Sequence, residues 1–114
     1  EDEAADIEVS LEEIYDNPSL YGHLNEKGFR NVEAPTFDVD WFRDLHKDRL
    51  NVYRLKIWYP NGALSQYRVI YASDVKHDCF HVLAVIPRSI EYDIQHPTLK
   101  RVRADYERLG LLPY

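Results

Sequence analysis

Polar and apolar side chains alternate with a period of two over the middle of the chain. In Val52 to Tyr59, Tyr53, Leu55, Ile57 and Tyr59 share one side of an extended backbone, while Arg54, Lys56 and Trp58 share the other. Pro60-Asn61-Gly62 then predicts a tight turn and an antiparallel return over Ser65 to Ala72, where Tyr67, Val69 and Tyr71 alternate with Arg68 and Ile70. A polar connection, Asp74 to Asp78, leads to Cys79–Ile86. That run is apolar on both faces, as expected of a central strand, and Pro87 ends it.

Helical spacing frames this sheet. Pro97 suits a first helical position, Leu99, Val102, Tyr106 and Leu109 form one stripe, and Gly110 is placed to terminate, so a helix is predicted over 97–109 with Lys100, Arg101, Arg103 and Arg108 on its polar side. Before the sheet, residues 1–8 are expected to fray and 9–48 to be mainly helical. Ser10 and Glu13 have capping-box spacing, a second turn follows Asn17-Pro18-Ser19 through Leu20, Tyr21 and Leu24, and Gly28 ends it. Val32 to Phe37 reads as an extended connection. Asp38 or Asp40 then caps a helix carrying Trp41, Phe42 and Leu45 on its core side. The expected fold is a single α+β domain over 1–114, a small twisted antiparallel sheet of three to four strands across 52–88 with N-terminal helices and a C-terminal helix.

Length and composition agree with one packed core: 114 residues, 45% hydrophobic and 13% aromatic. No apolar run approaches the roughly 18 residues of a membrane span, and no leader-like segment opens the chain, so no membrane partner is expected. The single cysteine, Cys79, excludes an internal disulfide and a multi-cysteine zinc framework, which suits a reducing cytoplasm. With no methionine, the natural start is expected to precede Glu1.

Charge changes the picture more. Residues 1–45 hold 13 acidic and 3 basic side chains, whereas 46–114 hold 7 acidic and 11 basic, so the net charge of -6 averages two unlike halves. The cations Arg54, Lys56 and Arg68 can project from one sheet face, with Arg88 leaving the third strand and Tyr92 four residues on. Guanidinium groups bind phosphate oxygens bidentately and stabilise the charge of a pentacoordinate transition state, so this set suits a phosphodiester. The plainer alternative makes them solvated strand residues or salt-bridge partners of the acidic half. The acidic segment can also cover the cationic face in cis, in which case removing residues 1–30 raises RNA affinity. His77-x-Cys79-x-His81 offers three possible ligands on one strand face with only His96 as an obvious fourth, and a small buried cysteine beside turn and edge histidines is the expected reading. No metal or other cofactor is expected. His96 fits a helix cap, and Tyr53, Tyr67 and Tyr71 fit the core rather than base stacking.

The order VYRLKIW, YRVIY, HVLAVIPRSIEY, ending in Arg-x-x-x-Tyr, resembles the RelE/ParE superfamily of bacterial toxins over roughly residues 40–109. The resemblance implies helices on one face of a twisted antiparallel sheet and, in the RelE-like branch, metal-independent cleavage of messenger RNA in the ribosomal decoding site. It implies catalytic roles for Lys56, Arg68, Arg88 and Tyr92; RNA contacts are expected from Arg54 and from Lys100 and Arg101 on the polar side of the last helix. Arg68 and Arg88 would stabilise the phosphorane, Lys56 or Arg54 would activate the 2′-hydroxyl, and Tyr92 would stack on a base or move a proton. A cognate antitoxin and ribosome-bound messenger RNA are the implied partners. The alternative is a non-enzymatic protein on the same scaffold, either an inhibitor of a protein target or an inactive homologue; pI ≈ 5.3 departs from the basic character usual among RelE-like toxins.

Overall fold

The period-two region folds as the hairpin its turn predicts, but the sheet it belongs to is wider than expected. The computed structural model describes residues 3–90, 93 and 95–111. Helix α1 (Glu3–Tyr15) and the single turn α2 (Pro18–Tyr21) precede β1 (Arg30–Asn31), β2 (Thr36–Trp41) and the short α3 (Arg43–His46). Strands β3 (Val52–Trp58), β4 (Tyr67–Asp74) and β5 (Cys79–Pro87) follow, then a 3-10 turn at Arg88–Ile90 and helix α4 (Pro97–Leu109). All five strands form one antiparallel sheet in chain order, β1-β2-β3-β4-β5.

The sheet separates two apolar layers. Phe37, Val39, Leu55, Ile57, Val69 and Tyr71 face α1 and α2, which contribute Ile7, Ile14, Leu20 and Leu24. On the opposite face Val52, Ile70, Ala72 and Ile86 pack against Phe42 and Leu45, and against Leu99, Val102 and Tyr106 of α4. Each fully buried aliphatic side chain stabilises this arrangement by about 1.5–3 kcal/mol. The Tyr106 hydroxyl accepts from the Asn51 backbone N–H at 2.9 Å, which ties α4 to the start of β3.

Several expectations need correction. Residues 9–48 are not mainly helical, because β1 and β2 lie within them and raise the strand count to five. Helix α1 begins at Glu3, so the opening residues do not all fray, and Ser10 and Glu13 lie inside the helix instead of capping it. Asp38 and Asp40 belong to β2, and the N-cap of α3 is Phe42, without a side-chain cap. Phe42 and Leu45 are buried as expected, but Trp41 is exposed. The second helical turn ends at Tyr21, and Gly28 (φ 89°) instead turns the chain towards β1, its N–H bonded to the Val39 carbonyl. Helices cover both sheet faces. Strand β5 is an edge, not the centre, and Val82 and Val85 on it are exposed.

A register shift in the β4–β5 ladder sets where the hairpin's side chains point. Val69 pairs with Val85 and Ile70 with Ala84, but Tyr71 pairs with Val82, which leaves Leu83 as an extra residue. Beyond this bulge, Ala72 faces His81 and Asp74 faces Cys79. Helix α4 matches its prediction at both ends: His96 caps it by accepting from the Thr98 N–H at 3.1 Å, and Gly110 ends it in the left-handed region at φ 67°. Leu109, expected on the buried stripe, is exposed.

Candidate functional site

Period two places Arg54, Lys56 and Arg68 on one side of the sheet, the side that also carries Val52 and Ile70. Their surroundings differ. Arg54 is buried, and its guanidinium lies between two carboxylates of β2: Nη1 donates to Asp38 Oδ1 at 2.9 Å and Nη2 to Asp40 Oδ2 at 3.3 Å. The cross-strand pairs Asp40↔Arg54 and Asp38↔Lys56 impose this contact. Arg68 is also buried, with Nη1 donating to the carbonyls of Ser65 at 3.1 Å and Tyr67 at 3.2 Å. Lys56 is half-buried, and the β3–β4 register continued by one residue sets it opposite Arg68.

Arg88 is exposed at the start of the 3-10 turn, where its backbone N–H donates to the Gln66 carbonyl at 2.8 Å. It borders an open cleft of about 350 Å³ with Gln66, Tyr67, Pro87 and Ser89. Arg68 and Arg88 therefore sit at the same end of the β4–β5 ladder. Tyr92 lies outside the described residues. Lys100 and Arg101 are exposed on α4, while Arg103 of the same helix reaches Asp48 at 2.8 Å.

Three participants were missed from the sequence. Asp38 and Asp40 meet the cations, and Arg30 lies over the Trp58 ring at 4.5 Å on the same sheet face. The alternation in Thr36-Phe37-Asp38-Val39-Asp40-Trp41 is the signal that could have found β2, since Phe37 and Val39 face the core and both aspartates face away from it. The covering of the cations by residues 1–30 does not hold for helices α1 and α2, which pack on the other face.

The acidic helix is instead anchored elsewhere. The Glu3 carboxylate accepts from the Tyr59 hydroxyl in a short hydrogen bond, from Ser65 Oγ at 3.1 Å and from the Gln66 N–H at 3.3 Å. Burial, reinforced by that carboxylate, pushes the Tyr59 phenol up to about 12, and the bond from Tyr59 holds the Glu3 carboxyl below its ordinary value. Between α1 and the sheet runs a groove of about 520 Å³ with Val69, Tyr71 and Val82 on its apolar floor and Glu8, Glu12 and Asp16 along its rim.

His77, Cys79 and His81 collect around a fourth group, Asp74, at the β4–β5 turn. His81 Nε2 lies 3.0 Å and His77 Nδ1 2.9 Å from Asp74 Oδ2. The bond from His81 chiefly, with His77 adding, holds the Asp74 carboxyl down at about 2. No protein-family model, curated protein or solved structure matches the chain.

Proposed function

We propose that the chain is the toxin component of a toxin-antitoxin pair, of RelE/ParE type, cleaving messenger RNA on the cytoplasmic ribosome without a metal. The observation that carries this reading is that Lys56 and Arg68 share a sheet face at the end of the β4–β5 ladder where Arg88 follows β5. Two backbone carbonyls hold Arg68, so its positive charge is fixed before a substrate arrives, the preorganisation that stabilises a developing phosphorane at no reorganisation cost. Arg88 is free to approach from solvent and take a phosphate oxygen.

In this reaction the 2′-oxygen of RNA forms a bond to the adjacent phosphorus and the bond from phosphorus to the 5′-oxygen breaks. The 2′-hydroxyl loses its proton, and the leaving 5′-oxygen gains one. Lys56 orients the attacking hydroxyl, and Tyr92 serves the leaving group by the resemblance alone. Arg54 moves from direct RNA contact to a positioning role, because its charge is already matched by Asp38 and Asp40. Lys100 and Arg101 supply outlying contacts to the RNA backbone. A cognate antitoxin would cover this end of the sheet.

A second reading, favoured by the acid-rimmed groove under α1, keeps the scaffold without the chemistry: the chain grips a basic, amphipathic segment of a protein target there. Induced expression with mapping of messenger-RNA ends separates the two. The parent should cut within ribosome-bound message, and Arg88→Ala should cut about 10²–10³-fold less. Growth arrest without cleavage supports the protein-target reading, and absence of cleavage in the parent overturns the enzyme.

A further inference from the structure

The end of the β4–β5 hairpin brings a carboxylate, a thiol and an imidazole to one side of the sheet. Asp74 pairs with Cys79 across the strands, and His81 follows Cys79 by two residues, so all three share a face. Cys79 Sγ is 3.8 Å from His81 Nε2 and 3.9 Å from Asp74 Oδ2, and the latter two atoms are 3.0 Å apart. A tetrahedral zinc ion with bonds of about 2.3 Å to sulfur and about 2.0 Å to nitrogen or oxygen separates sulfur from nitrogen by about 3.5 Å and oxygen from nitrogen by about 3.3 Å. Shifts of a few tenths of an ångström reconcile the two sets of separations, within reach of side-chain adjustment.

We propose that Asp74, Cys79 and His81 form a binding site for Zn²⁺ or a transition ion of similar preference. The three donor atoms lie mutually within ligand spacing. A thiolate with an imidazole selects against Mg²⁺ and Ca²⁺, which take oxygen ligands. His77 completes the site from outside: its Nδ1 is also 3.1 Å from Asp74 Oδ1, so it can hold that oxygen while Oδ2 turns to the ion. Three protein ligands leave one tetrahedral position for water or an incoming donor, and coordination sends the Cys79 thiol proton to solvent. Asp74 is six strand residues from Arg68, roughly 20 Å, so the site stands apart from the cationic end and does not depend on the function proposed for it. The competing account is a metal-free hairpin turn stapled by the histidines around Asp74.

Titration of the reduced, metal-free full chain with Co²⁺, followed by Zn²⁺ competition, decides between them. Cys79 is the one thiol in the sequence, so a thiolate-to-cobalt charge-transfer band reports this site without any variant. One ion per chain, that band, and its loss on adding Zn²⁺ are expected. Cys79→Ser should abolish the band, and both it and His81→Ala should weaken Zn²⁺ binding at least about 100-fold. Loss of the outer partner in His77→Ala should cost about 10–100-fold, and His96→Ala should change neither readout. A six-coordinate Co²⁺ spectrum without charge transfer in the parent would overturn the site. So would a Zn²⁺ affinity unaltered in Cys79→Ser and His81→Ala variants that circular dichroism shows to be folded.

Discussion

At the scale of single residues, Arg54 reconciles the acidic and basic halves of the chain. Its guanidinium is buried between Asp38 and Asp40, and each carboxylate keeps about a quarter of its side-chain exposure. Truncation to alanine leaves two like charges two residues apart on one strand face with no cation between them. Arg54→Ala should therefore lose about 3 kcal/mol in urea unfolding, the lower end for a broken buried pair, and Arg54→Lys less, since a single ammonium cannot fork to both acids. A loss under about 1 kcal/mol would mean the bridges behave as surface pairs. The sequence could not reveal this contact, because Asp38 and Asp40 satisfy a local helix-capping rule while their real partner is 14–16 residues away and is chosen by strand register.

Among elements, α1 depends on a remote tether as well as on its apolar side. Glu3 joins the helix to Tyr59, Ser65 and Gln66 around the β3–β4 turn. Folding raises the Tyr59 phenol from 10.0 to about 12, so the folded chain keeps a proton that the unfolded chain releases. That contribution is complete below pH 10 and disappears as pH rises to about 12. Unfolding measured across this range should show a shallower alkaline decline in Tyr59→Phe than in the parent; parallel declines would remove Tyr59 as a source. Glu3 runs the other way, its contribution present above its ordinary carboxyl value and fading as acid carries it through the lowered one.

The elements from β3 onward were legible because strict alternation, Asn61-Gly62, and the Pro97 to Gly110 frame are local signals. Strand β2 was hidden by Pro35 and by aspartates that also suit helix starts. The edge position of β5 was hidden for a different reason. A run apolar on both sides reports what lies above and below a strand, not whether another strand pairs beside it. The cationic positions were legible as a set, but their burial was not, since it follows from β2 and from the carbonyls at the start of β4.

For the whole molecule, the sheet is an electrostatic divider. The acidic α1 lies on one side, while Arg30, Lys56 and Arg68 lie on the other with Asp38 and Asp40 among them. Removing both carboxylate charges with Asp38→Asn and Asp40→Asn should raise affinity for single-stranded RNA. If Arg54 then reaches one phosphate, the slope of log affinity against log salt should steepen by about 0.7. Binding measured at several salt concentrations checks this, and an unchanged slope would leave Arg54 out of RNA contact.

Every strand of this sheet pairs with its neighbour in sequence, whereas Glu3 meets partners 56 to 63 residues further on. The sheet can therefore zip up hairpin by hairpin with short loop closures, while α1 needs a long one. During synthesis α1 leaves the ribosome before the strands that receive it, so a stage is expected in which Phe37, Leu55 and Ile57 lack their helical cover. Helix α1 can then dock only after the strands it covers have been made, and aggregation or chaperone capture competes with folding during that interval.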